Sequence, residues 1–201
     1  MSKALFLFLC WFSTAAAAAP TVLVFGDSLS SGYGLPAGKG WVDLLQSRLA
    51  AQGHPHRVIN ASVSGETTLG GKNRIGHALA EHRPDIVIVE LGGNDGLRGL
   101  SLEASRGNLS AIVGESKAAG ARVLLVGVRL PPNYGKAYTE KFQQLFADVA
   151  AREKVALVPF LLDGFGEHPE YFQPDGIHPG ETAQARMLDN VWPELARLLR
   201  R

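Results

Sequence analysis

Cysteine is nearly absent from this chain: one residue in 201, Cys10, inside the N-terminal apolar stretch. Removal of that stretch leaves no thiol, which excludes disulfides, a cysteine nucleophile and thiolate metal sites together. An excess of charge of one sign is also missing. Without Lys3 the 20 basic residues become 19, equal to the 19 acidic ones. A neutral chain with no block of like charges has no electrostatic footprint for nucleic acid. Long apolar runs are lacking as well. Ala4–Phe12 is the longest near the N-terminus, and it is too short to cross a bilayer as a permanent helix. No stable membrane anchor is expected. The close pair His54-Pro55-His56 lacks the His-x-x-x-His spacing and the carboxylate of a zinc site, and no Walker loop or internal repeat occurs.

What is present begins with an address. Lys3, the apolar run, Ser13-Thr14 and alanines ending at Ala19 have the basic, apolar and small-residue order of a secretory signal peptide over residues 1–19. Pro20 disfavours a cut directly after Ala19, so cleavage is expected a residue or two earlier. Phe8-Leu9 before Cys10 are not the small residues that lipid attachment needs. Export without disulfides suits a bacterial periplasm. Residues 20–201 are long enough for one domain with a full core.

Strand-like and helix-like segments alternate along that domain. Thr21–Phe25, Arg57–Asn60, residues 85–91, Arg122–Val128 and Val155–Val158 read as strands, the third as nearly continuous apolar chain. Between them Trp41, Leu44, Leu45 and Leu49 keep helical spacing, as do Ile75, Ala78, Leu79 and His82, and then Leu109, Ile112 and Val113. Phe142, Leu145, Phe146, Val149 and Ala150 form a strict amphipathic stripe. A last helix carries Met187, Leu188, Val191, Leu195 and Leu198, and Pro193 is expected to bend or divide it. Five strands alternating with helices predict an α/β fold with a parallel sheet covered on both faces. Such sheets bind ligands beyond the carboxyl ends of the strands, where strand order reverses. With the order 2-1-3-4-5, Ser28 after the first strand and Asn94 after the third face each other across that crevice.

Gly26-Asp27-Ser28 ends the first strand, and Asp175-Gly176-Ile177-His178-Pro179 lies far downstream. A serine hydroxyl attacks poorly unless a base takes its proton, and a carboxylate on the other imidazole nitrogen fixes the tautomer of that base. Of six histidines only His178 has an Asp in its own Gly/Pro-rich loop. Alone, that loop reads as a surface turn; beside Gly-Asp-Ser it reads as catalytic. Acyl transfer also needs donors for the developing oxyanion. The backbone N–H groups of Ser28 and Gly65 and the carboxamide of Asn94 are candidates, although Gly65 alone reads as a turn and Asn94 alone as a cap. Gly32-Tyr33-Gly34-Leu35-Pro36-Ala37 fits a dinucleotide motif formally, but it lies past the strand end and no acidic residue closes the second strand. Ser30 replaces the final glycine of a G-x-S-x-G elbow, against the α/β-hydrolase fold.

Gly26-Asp27-Ser28-Leu29-Ser30, Gly65, Gly92-Gly93-Asn94-Asp95 and Asp175-x-x-His178 together resemble, in order and spacing, the four blocks of the SGNH (GDSL) hydrolase family. The resemblance spans nearly all of residues 20–201. Leu91–Gly99 and Arg129–Gly135 are similar to one branch, the periplasmic multifunctional acyl-thioesterase, lysophospholipase and arylesterase of Gram-negative bacteria, also described as protease I. The resemblance implies a flavodoxin-like three-layer sandwich with Ser28 as nucleophile, His178 as general base and acid, and Asp175 as orienting carboxylate. It implies an oxyanion hole of Ser28, Gly65 and Asn94, no cofactor and no metal. The implied reaction is hydrolysis of acyl esters, thioesters or lysophospholipids through an acyl-serine; a monomer is expected. Segments Leu97–Leu100 and Arg129–Tyr134 are expected to line an apolar groove for the acyl chain. A carbohydrate acetyl esterase with the same catalytic set, and a non-enzymatic flavodoxin-like binding protein, are the alternatives.

Overall fold

The computed structural model describes residues 19–200; the expected signal peptide, but for Ala19, and Cys10 with it lie outside the described residues. Five parallel strands form one sheet: β1 (Thr21–Gly26), β2 (Arg57–Asn60), β3 (Ile86–Glu90), β4 (Arg122–Val126) and β5 (Ala156–Val158). Their spatial order is β2-β1-β3-β4-β5, the order under which Ser28 and Asn94 were expected to face each other. Chain order therefore reverses between β1 and β3, where Val22 pairs with Ile86 and Gly26 with Glu90.

Seven α-helices accompany the strands among the described residues. They are α1 (Ser28–Ser31), α2 (Trp41–Ala51), α3 (Thr68–His82), α4 (Gly93–Leu97), α5 (Leu102–Ala118), α6 (Lys136–Glu153) and α7 (Glu181–Leu199). Successive side chains of a strand point to opposite faces, so the central strands split their apolar residues between two cores. Leu23, Phe25, Val87, Val89, Val123 and Leu125 pack with α3, α5 and α6. Val22, Val24, Ile86, Ile88, Leu124 and Val126 pack with α2 and α7. Both faces are covered, which explains why β1 and β3 are buried along their whole length.

Two expectations need correction. Pro193 does not divide the last helix: α7 runs unbroken from Glu181 to Leu199 with the proline inside it. The missing N–H costs one helical bond, but Met187, Leu188, Val191, Leu195 and Leu198 bury a continuous face on the sheet and hold both halves together. Strand four stops at Val126, two residues early. Gly127 crosses so close to the Pro159 carbonyl that a Cβ would lie 2.5 Å from it. Its N–H bonds Val158 O and its carbonyl accepts from Leu161, which turns the chain out of the ladder.

Candidate active site

The carboxyl end of β1 is built to halt a strand abruptly. Asp27 caps α1, its Oδ1 accepting the Leu29 N–H at 3.0 Å, and Gly32 ends that single turn at φ +78°. Ser28 is thus the first residue of a short helix directly above the sheet. The turn is tied on three sides. Asn60 Nδ2 donates to Ser30 O at 2.8 Å, Trp41 Nε1 donates to Leu29 O at 3.2 Å, and the Ser31 and Ser64 hydroxyls meet at 2.8 Å.

His178 arrives from the loop before α7. Its Nε2 lies 2.9 Å from Ser28 Oγ and its Nδ1 lies 2.7 Å from Asp175 Oδ2. The second carboxylate oxygen, Oδ1, accepts the N–H groups of Ile177 and His178 at 2.9 and 3.0 Å. One four-residue stretch therefore fixes the carboxylate against its own backbone and aims it at the ring. These bonds, the backbone donor of His178 foremost, pull the Asp175 pKa down to about 2. The carboxylate stays charged wherever the chain is folded near neutral pH.

The three expected oxyanion donors come from three crossovers and meet at the same edge. Asn94 lies in α4 after β3, and its Nδ2 donates to Asp27 Oδ2 at 3.0 Å. One amide proton is thereby committed, which orients the carboxamide beside the serine turn. Gly65 follows β2 at φ +79°, a conformation that a side chain would strain. Arg98 Nη2 donates to Gly65 O at 3.0 Å and lies 3.5 Å from Asn94 Oδ1, linking the second and third crossovers. Behind them Arg74 braces the Gly65 loop by pairing with Glu66 and donating to Ala61 O at 2.8 Å. Asp95, buried, accepts from Thr68 N at 2.8 Å and from Ser105 Oγ at 2.9 Å, pinning α4 to α3 and α5.

A second acid that no motif marks in the sequence lies under this edge. Glu90 closes β3 completely buried, accepts the Ser30 hydroxyl at 2.7 Å through Oε2, and leaves Oε1 without a partner among the described residues. Burial, and then the neighbouring Asp27, push its pKa well above the usual carboxylate range. Burial also pushes Asp27 up to about 6, against the donors from Leu29 and Asn94. Burial thus works against the charged form of both carboxyls, and on Glu90 the neighbouring Asp27 adds to it. The visible signal was a single charge at the end of the apolar run 85–91.

Large apolar side chains that remain exposed are Tyr33, Val63, Leu69, Leu100, Tyr134 and Ile177, and all six follow the carboxyl ends of strands. Tyr134 Oη donates to Leu97 O at 3.1 Å, joining the two segments expected to line a groove, and Tyr138 Oη donates to Gly96 O at 3.2 Å beside them. No group of three or more His, Cys, Asp or Glu residues that could hold a metal occurs among the described residues. None of the described helices is long and apolar enough to cross a membrane.

Residues 24–186 match the model of the GDSL-like Lipase/Acylhydrolase family. The chain is 52% identical over 186 residues to Esterase TesA of Pseudomonas aeruginosa, covering 92% of each. It is 41% identical over 194 residues to Thioesterase 1/protease 1/lysophospholipase L1 of Escherichia coli K12, covering 96% of this chain and 92% of that protein. Among solved structures, the psychrotrophic esterase EstA from Pseudoalteromonas sp., inhibited by monoethylphosphonate, superposes with a TM-score of 0.85. That pair is 36% identical, covering 90% of this chain and 99% of the other.

Proposed function

Because the chain belongs to the GDSL-like lipase/acylhydrolase family, and is a carboxylic ester hydrolase, we propose that it cleaves esters and thioesters of single acyl chains by two-step transfer through Ser28. His178 takes the hydroxyl proton as Ser28 Oγ attacks the substrate carbonyl. The oxyanion forms among the Ser28 and Gly65 N–H groups and the Asn94 amide. As it collapses, His178 returns the proton to the departing alcohol or thiol, and an acyl-serine remains. Water, losing a proton to His178, then attacks the acyl carbon. Collapse of the second intermediate frees the acid and gives the proton back to Ser28. Asp175 orients the ring and stabilises the imidazolium that each step creates, without taking the proton itself.

The observation that carries this reading is the 2.9 Å approach of His178 Nε2 to Ser28 Oγ, with Asp175 2.7 Å behind. Nothing in the cycle calls for a metal or cofactor. The relatives are named for ester, thioester and lysophospholipid cleavage, and the exposed apolar rim favours an acyl chain over a sugar acetate. A periplasmic site of action and a single domain over residues 20–201 acting as a monomer complete the proposal. The test is a phosphonate ester probe. Stoichiometric labelling at Ser28 with loss of p-nitrophenyl ester hydrolysis is the expected outcome, and Ser28→Ala should abolish both. A Ser28→Ala variant with wild-type turnover would refute the assignment.

A further inference from the structure

Two separate loops must meet for Ser28 and His178 to touch, and one side chain outside the proposed catalytic set spans them. Gln173 Nε2 donates to Tyr33 O at 2.9 Å and to Pro179 O at 3.2 Å, so both protons of its amide are spent on backbone carbonyls from opposite sides of the gap. Its main chain closes the histidine loop at the same time. Gln173 N–H bonds His178 O at 2.8 Å, and its carbonyl accepts from Gly176 at 2.9 Å. Phe172 and Pro179 pair as an isolated antiparallel bridge at the loop's neck. On the far side the Tyr33 ring lies against the imidazole, centroids 4.5 Å apart and tilted by 42°. Gly34 makes the approach possible: a Cβ there would stand 2.1 Å from Gln173 Oε1, and its φ of +72° already disfavours a side chain.

We infer that Gln173 is a positioning residue that straps the Asp175–His178 loop to the Tyr33-Gly34 segment, and through Tyr33 holds the imidazole in line with Ser28. The inference rests on the catalytic reading of Ser28 and His178. Its physical logic is that α7 carries the histidine loop and β1 carries the serine, so nothing in the sheet ladder fixes their separation. One side chain bonding backbone carbonyls on both sides locks that gap while ordering a single set of rotamers, where an ion pair would order two. Misplacement by about 1 Å is enough to cost up to about a hundredfold in rate.

Asn190 provides the control, since its Nδ2 also donates to two carbonyls, Leu161 O at 2.9 Å and Asp163 O at 3.0 Å, in a loop that does not touch the imidazole. Purified wild type, Gln173→Leu and Asn190→Leu are compared for kcat and KM on a p-nitrophenyl acyl ester, for thermal midpoint, and for the low-field proton resonance of the Asp175–His178 hydrogen bond. In Gln173→Leu kcat should fall about tenfold to a hundredfold at unchanged KM, with that resonance broadened. Asn190→Leu should lose thermal stability while keeping kcat and the resonance. A Gln173→Leu protein with wild-type kcat and resonance overturns the inference, and so does an Asn190→Leu protein whose kcat falls as far. If Gln173→Leu does not fold, Gln173→Glu, of equal volume but with no amide donors, reads the same way: reduced kcat in a folded protein supports the strap, wild-type kcat overturns it. His178→Ala separates the two levels. Wild-type turnover in that variant removes the catalytic reading and this inference with it; lost turnover beside a fully active Gln173→Leu overturns the strap alone.

Discussion

Single side chains decide the chemistry here, and Asn94 is the sharpest case. Its amide has one proton held by Asp27, and the other is the donor proposed for the oxyanion. Removing one such donor typically costs about 10²–10³ in turnover, so Asn94→Ala should lose that much kcat. Because Asn94 is only half-buried in a short helix, its urea midpoint should stay near wild type. Asp27→Ala should do more damage, since it deletes both the anchor of Asn94 and the cap of the serine turn; a lost cap alone costs about 1 kcal/mol. The candidate residues that meet at this edge were readable in the sequence because Gly-Asp-Ser and Asp-x-x-His are local patterns with a chemical logic. Glu90, Arg98 and Gln173 were not. Each acts across the fold, on Ser30, Gly65 and Tyr33 respectively, and a partner 30 or more residues away leaves no periodic trace.

Elements position those residues through close approaches and buried charge. Gly71 on α3 sits so near the sheet that a Cβ would lie 2.4 Å from Leu91 Cδ1 and 3.3 Å from Phe25 Cε1. Gly71→Ala gains about 1 kcal/mol of helix propensity but overpacks a filled core, at a cost of about 1–3 kcal/mol. A net loss of up to about 2 kcal/mol in urea unfolding is expected. At the end of β3, the raised pKa of Glu90 makes the folded chain hold a proton that the unfolded chain has released above the ordinary carboxylate range. The native state then binds more protons, so this group weakens the fold as pH rises through that window. Glu90→Gln removes the effect while keeping an acceptor for Ser30. Its stability relative to wild type should grow from pH 5 to pH 8 in paired urea melts; a constant difference would contradict it. Asp175 behaves oppositely: its contribution is complete above about pH 4 and is lost as pH falls through about 2. Strand and helix identities were legible because both faces of the sheet are buried. Division at Pro193 did not follow because a proline's local penalty is visible in sequence whereas the packing that outweighs it is not.

At the scale of the molecule, strand order alone made the site predictable: the reversal between β1 and β3 brings Asp27 and Asn94 into contact from positions 67 apart in sequence. The same edge gathers every exposed large apolar side chain named above, which bears on substrate choice. Across p-nitrophenyl esters of rising length, kcat/KM should climb from acetyl to medium chains, each buried methylene contributing about 0.8 kcal/mol at most. Tyr134→Ala should flatten that climb and leave the acetyl ester unaffected. A profile peaking at acetyl would instead favour the sugar-acetate reading. The chain's balanced charge, by contrast, left its mark only as an exclusion.

The carboxylate and the imidazole share one short peptide, four residues from Asp175 to His178, while the Ser28 hydroxyl belongs to a different crossover of the chain. Thermal or solvent stress that loosens the scaffold can widen only the hydroxyl–imidazole gap, because the other contact travels as an intact cassette. Inactivation should then precede global melting and reverse on cooling, and the cassette is the natural unit to transplant when such chemistry is grafted onto a new scaffold.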